Sequence, residues 1–341
     1  MSFSHSRPSS WRSWEQELVG CALHYINTRT SETPRLLLTN FSWEDFDDFK
    51  DGLNNPYKIS AKDADTLRFD YNPETLTLRI SSVPEAAHTE LEDFLTTTLM
   101  DLRHANIITK AEQEQLHIGF SREFSLPYRE TTRKAPAFAK QPDAFIGLKD
   151  RSKCFFPRVI FEVDFSQSYE EVLDDTRQWL VRSAGGVRLV VLIYIEEHPI
   201  PALRDDDDDD QHSDDSTDSD VAMYQRFYNS CNVDNHVGPL SAFAELYRLG
   251  GAGIYRVGAR INIISPPSVS PPAPAGQIQL SITDLLPDVV DNRVIDFDLA
   301  VFARGLQHSR RDMALSRILR RRRARRRAAA SNKAVDADYQ P

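Results

Sequence analysis

Between Arg158 and Ile195 the apolar positions recur first with period two and then with helical spacing. Val159, Phe161, Val163 and Phe165 alternate with Ile160, Glu162, Asp164 and Ser166, which predicts a strand. One face would enter a core, and the other would align two carboxylates and a hydroxyl. Ser168-Tyr-Glu-Glu171 then reads as a capping box that opens a helix. Tyr169, Val172, Leu173, Thr176 and Leu180 form one face of that helix, and Gly185-Gly186 ends it. Val187 to Ile195 is a second, apolar strand. Strand–helix–strand with a connection of this length predicts a right-handed crossover between parallel strands.

The same pattern organises the rest of the chain. Leu91, Phe94, Leu95, Leu99 and Leu102 form a helical stripe within Pro84 to Ala105. Leu67 to Tyr71 and Thr75 to Ile80 flank Asn72-Pro73 and predict a hairpin. Trp14, Leu18, Cys21, Ala22 and Tyr25 predict a helix within Trp11 to Thr28. Met1 to Ser10 is polar and reads as disordered. Pro34 to Lys58 reads as loop with a short helix. His117 to Leu126 reads as a strand, and Thr131 to Lys140 as a basic irregular segment. Gln141 to Leu148 reads as a short strand carrying Asp143, and Arg151 to Pro157 as a turn. Ser241 to Leu249 and Gly253 to Ile264 predict a hairpin around Gly250-Gly251. Its second strand would place Arg256, Arg260 and Asn262 on one face, and Tyr255, Val257, Ala259, Ile261 and Ile263 on the other. Ser265 to Gln277 contains five prolines and reads as a linker. Apolar alternation resumes over Gln279 to Leu286. Leu299 to Leu319 reads as a helix passing into an arginine run and a polar tail.

These elements divide the chain into an N-terminal extension, 1–83, with helix, loop and hairpin, and an α/β core, 84–264. A proline-rich linker, 265–278, and a C-terminal segment, 279–341, follow. The 341 residues are 40% hydrophobic and 27% charged, which is ordinary for a soluble globular protein. The net charge of −10 is unevenly spread. Asp205 to Asp220 holds ten aspartates, and 204–220 reads as a disordered acidic insertion in the core. Arg304 to Arg327 holds eleven arginines and one aspartate, a net of +10, so the two segments cancel. The body that remains is acidic, which counts against a strong non-specific nucleic-acid binder. Cys21, Cys154 and Cys231 fit neither a disulfide framework nor a zinc spacing, and an intracellular setting is the simpler reading. No secretory signal or membrane-spanning run is read.

Pro142-Asp143-Ala144, a gap of 18 residues, then Glu162 on a buried strand followed by a helix and an apolar strand resembles the PD-(D/E)XK nuclease superfamily. The resemblance covers roughly Glu85 to Glu197, about a third of the chain. It implies a restriction-endonuclease-like core, a mixed sheet flanked by helices. It implies that Asp143 and Glu162 ligate Mg²⁺ or Mn²⁺ and that the reaction is hydrolysis of nucleic-acid phosphodiesters. It also implies an acidic residue on the first helix, for which Glu90 is preferred. The family's lysine position is Asp164 here, and Glu162-x-x-x-Ser166-Gln167 looks like diverged members of the family. Asp164 would be a third carboxylate for metal, and Lys140, Lys149 or Gln167 would stand in for the lysine.

Each residue also has a plainer role. Asp143 fits a turn aspartate after proline. Glu162 fits a strand-face acid paired with Arg177 or Arg188. Glu90 fits a solvated acidic first turn. Gln167 and Ser168 fit capping and turn roles. The rival class is a nuclease-like fold kept as a scaffold or interaction module. The compact run Arg320, Arg321, Arg322, Arg323, Arg325, Arg326, Arg327 reads first as a signal for the nuclear import machinery. It reads otherwise as a nucleic-acid arm or a solvated tail.

Overall fold

The structure, a computed structural model, describes residues 2–4, 35–53, 68–81, 85–120, 122–127, 137–149, 155–165, 168–200, 228, 232–291 and 293–337. In chain order the strands are β1 (Ser2–Ser4), β2 (Arg35–Thr39), β3 (Arg68–Asn72), β4 (Thr77–Ser81), β5 (Leu116–Phe120), β6 (Phe124–Pro127), β7 (Ala137–Lys140) and β8 (Ala144–Lys149). They continue with β9 (Phe155–Asp164), β10 (Leu189–Glu197), β11 (Leu240–Gly250), β12 (Gly253–Ile264), β13 (Gln277–Ser281) and β14 (Val294–Asp298). The α-helices are α1 (Trp43–Leu53), α2 (Glu85–His104), α3 (Lys110–Gln115), α4 (Tyr169–Arg182), α5 (Ile282–Leu285) and α6 (Leu299–Ala337). The fold is mixed α/β. The helix predicted within Trp11 to Thr28, Ser166, Gln167 and the acidic run Asp205 to Asp220 lie outside the described residues.

The central sheet runs β12–β11–β10–β9–β8–β5. β8 is antiparallel to β5 and β9, whereas β9 and β10 are parallel and joined by α4, as the alternation and the capping box predict. The Ser168 N–H and hydroxyl both donate to Glu171, at 3.1 and 2.9 Å. After α4 the chain turns through Ala184 and Gly185, both with positive φ, a conformation that suits glycine.

Neither face of β9 is open along its length. Val159, Phe161 and Val163 pack with Leu91, Phe94 and Leu95 of α2 and with Phe297, Phe302 and Leu306 of the C-terminal segment. Ile160 packs on the other face with Phe145, Val172, Trp179, Leu180 and Phe138. A strand buried on both faces is usual where a crossover helix covers the parallel edge. The predicted platform, with one buried face and one polar face, is therefore corrected. The face that carries Glu162 and Asp164 is not open along its length, because Ile160 beside them is buried under α4.

Three further differences change the domain picture. Arg35–Thr39, read as loop, and Ala137–Lys140, read as irregular, are strands of a second six-stranded sheet, β1–β2–β4–β3–β7–β6. Leu36, Leu38, Leu78 and Ile80 face Phe41, Phe46 and Phe49 in its own small core. Ser2–Ser4, read as disordered, pairs parallel with β2. The C-terminal segment is part of the main core, because Ile278, Leu280, Leu285, Ile295 and Leu299 are buried there. The arginine run is helical to Ala337, since alanine and arginine are both strong helix formers. Among the described residues no helix is long and apolar enough to cross a membrane.

Candidate functional site

Strand register decides which acids meet. Ala144 on β8 pairs with Phe161 on β9. Asp143, immediately before β8, therefore stands level with Glu162, and such cross-strand neighbours have Cα atoms roughly 4.5–5.5 Å apart. Two acids distant in the chain thus reach one end of the same sheet.

Their side chains turn to different neighbours. Asp143 is buried; it accepts the backbone N–H of Val163 and has His88 Nε2 of α2 at 3.4 Å. Glu162 accepts the indole N–H of Trp179 on α4. Since α2 and α4 cover opposite faces, the two carboxyls are engaged from opposite sides of the sheet. Arg177, one base suggested for Glu162, lies 3.5 Å from Asp174 instead. Asp164 follows Glu162 on the same face, is buried, and is level with Tyr194 of β10. Burial, and then the charges of Asp164, Glu196 and Glu170, push the Tyr194 hydroxyl up.

Glu90 is not brought to Asp143. A helix turns about 100° per residue, so His88 and Glu90 project to opposite sides of α2. His88 takes the position facing Asp143. Glu90 lies where a Cβ on Gly305 of α6 would meet it. Burial raises its carboxyl, with Asp93 and Asp312 adding to the effect and His308 opposing it. Lys149 is exposed at the far end of β8.

Lys140 is buried beside the site, but its charge is already matched. Its Nζ lies 2.8 Å from Asp175 of α4 and 5.8 Å from the centroid of the Trp179 ring. Arg79 of β4 reaches the same Asp175 at 3.0 Å. Burial lowers Lys140, but Asp175, Asp70 and Glu162 outweigh it and hold the ammonium above its usual range. For Asp175, burial raises the carboxyl, and Lys140 and Arg79 outweigh it and hold it below the usual range. This triad ties the second sheet to α4.

Across the sheet from Glu162, beyond Leu192, stands Glu245 of β11. At about 4.8 Å per strand the two acids are roughly 10 Å apart. Glu245 is fully buried. Tyr169 and Tyr247 donate to its Oε2 at 2.5 and 2.8 Å, and Arg256 and Arg260 donate to its Oε1 at 2.7 and 3.0 Å. Burial raises this carboxyl, but the four donors outweigh it and hold it low. Burial, then Tyr169 and Glu245, push the Tyr247 hydroxyl far up. Both arginines reach one carboxylate because the β11–β12 register shifts between Ala244 and Leu246, with Gly258 at a φ of +73° on the facing strand. A bulge re-aims side chains in this way.

Sequence reasoning missed His88 and Glu245. The only signal for His88 is that it extends the Leu91–Leu95 stripe by one turn. The signal for Glu245 is an acid inside the apolar run Leu240 to Leu249, opposite a strand carrying Arg256 and Arg260.

The donor types of Asp143 and Glu162 suit a hard divalent cation, which prefers carboxylate oxygens. Among the described residues no group of three or more His, Cys, Asp or Glu side chains is placed to hold a metal ion. No protein-family model matches the chain, and none of the curated proteins compared with it matches either.

Proposed function

We propose that the protein is a diverged PD-(D/E)XK nuclease-like hydrolase of nucleic-acid phosphodiesters, with a restriction-endonuclease-like core. Asp143 and Glu162 are its metal-holding pair. The observation that carries this reading is the β8–β9 register, which sets Asp143 level with Glu162. The parallel β9–α4–β10 unit and α2 on the opposite face support it, as does the resemblance in sequence. A bound Mg²⁺ or Mn²⁺ would supply an acidified water and charge stabilisation on the phosphate. The protein's own part is to supply the two carboxyls: Val163 N–H and His88 hold Asp143 toward α2 and the Trp179 indole holds Glu162 toward α4, so a shared ion would require one carboxyl to leave its present partner. Arg320 to Arg327, seven arginines in eight helical positions, supports nuclear import and delivery to nucleic acid.

A second reading, a non-catalytic nuclease-fold module, is favoured by one observation. Lys140, the only candidate stand-in for the family lysine described near Glu162, is bound to Asp175. Two measurements on the full chain separate the readings. For the hydrolase, Mn²⁺ raises the melting temperature, by the linkage of binding to folding. It also supports cleavage of plasmid or single-stranded DNA, and Asp143→Ala and Glu162→Ala abolish both effects. A folded wild type that shows neither shift nor cleavage with Mn²⁺ or Mg²⁺ leaves the module.

A further inference from the structure

We propose that Arg256 and Arg260, with the rings of Phe243, Tyr194 and Tyr169, form a binding surface for single-stranded nucleic acid beside the acidic pair. The inference rests on the nucleic-acid reading above and supplies the strand-holding surface that reading lacks.

The arginines are built for display. A fully buried Glu245 anchors them, yet their side chains remain 45% and 49% exposed. Guanidinium has five N–H donors. Arg256 gives Nη1 to Glu245 and Arg260 gives Nε, so outward donors remain on both. Two arginines against one carboxylate leave a local charge of +1. Burying a carboxylate is expensive unless it is fully paired. Here the pairing leaves two forked donors fixed at the exposed edge strand of the sheet.

The rings supply the second half of the surface. Arg260 lies 3.6 Å from the Phe243 ring centroid, a stacking distance. Phe243 and Tyr194 stack at 5.4 Å with planes 28° apart, and Tyr169 meets Tyr194 edge-on. All three rings are part-exposed. A guanidinium held over one ring at this distance offers its outer side to a base, as single-stranded binders do with arginine and aromatic planes. Charge sets the direction. Asp164, Glu170 and Glu196 surround Tyr194, so phosphates belong on the β12 side and bases over the rings.

The arginine helix at the C-terminus also attracts phosphates, so the test must cancel it. The full chain is titrated, in EDTA and at fixed salt, with a fluorescent oligothymidine octamer and with an abasic octamer of equal charge. A tail that binds only phosphates holds both alike. The wild type is expected to prefer the thymidine octamer by roughly tenfold, within the range measured for stacking one base. Arg256→Gln/Arg260→Gln should abolish the preference. Arg260→Lys keeps the charge and a partner for Glu245 but removes the plane, and should reduce the preference several-fold. Circular dichroism confirms folding of each variant. Absence of preference in the wild type, or its persistence in folded Arg260→Lys, overturns the proposal. The preference is read in EDTA, where no metal is held and no strand is cut. Failure of cleavage with the preference intact would therefore count against the metal site and not against this surface.

Discussion

Two buried carboxylates, Asp175 on α4 and Glu245 on β11, are each held by two cations. Their chemistry is the same and their surroundings are not. Asp175 meets Lys140 and Arg79, whose side chains are 2% and 20% exposed. Glu245 meets Arg256 and Arg260 at 45% and 49%. The first cluster is closed and serves as a joint between two sheets. The second is closed at the carboxylate and open at the cations. An ion cluster sealed on all sides has nothing left to offer a ligand, whereas one whose cations reach solvent remains a donor surface. Exposure of the partner, more than burial of the acid, separates a joint from a site.

The sharpest way to break the comparison is at the joint. Asp175→Asn leaves the Lys140 ammonium buried without its counter-charge. Removing one member of a buried pair typically costs about 3–5 kcal/mol. The urea midpoint should fall accordingly, with the second sheet loosening from α4 first in hydrogen exchange. A loss no greater than that of an ordinary surface substitution would show that the joint is not sealed. Replacing both partners, Lys140→Met/Asp175→Leu, should recover part of the loss, because no buried charge is then orphaned on that side.

Glu245→Gln should cost less, about 2 kcal/mol, the scale of one weakened hydrogen bond to charged groups. Its arginines can turn to water, whereas Lys140 cannot. Both carboxyls are held low, so the sign of their pH dependence is shared. The stability they add is full above the unfolded carboxylate value near 4 and is lost as pH falls through the lower folded value. Acid titration of unfolding should therefore flatten in Asp175→Asn and, less, in Glu245→Gln. Equal flattening would erase the distinction between joint and site.

What the sequence revealed follows the same division. Features carried by local period were legible. These include the alternation in β9, the Ser168–Glu171 capping box, the Leu91–Leu102 stripe of α2, and the hairpin that became β11 and β12. The resemblance brought Asp143 and Glu162 to one end of the sheet, but the different helices that engage their carboxyls were not legible. Contacts made between distant segments were not legible. Leu36 and Leu38 alternate over too few residues to declare β2 a strand, and β7 carries only Phe138 between two alanines before Lys140. The seat of Glu245 depends on a register shift opposite Gly258, which no periodicity encodes. His88 displaced Glu90 because the rotation of α2 is set by packing against α6 as well as against the central sheet.

A third carboxylate–arginine pair sharpens the comparison from the weak end. Glu112 of α3 meets Arg293, which also donates to the Ile107 carbonyl at 2.6 Å and so ties the loop before β14 to the end of α2. The hydrogen bond from Arg293, against burial and aided by Thr109, holds the Glu112 carboxyl down to about 2. Glu112 shares its arginine with Asp291 near the surface, and such pairs contribute no more than about 1 kcal/mol. Because the folded value is depressed, that contribution is complete above pH 5 and is lost between roughly pH 4.5 and 2. Arg293→Gln should therefore lower the urea midpoint only slightly at pH 6, and the gap from the wild type should close as the pH approaches 2. A gap as large as that of Asp175→Asn, or one that does not shrink in acid, would mean that this pair joins its segments as firmly as the sealed cluster does.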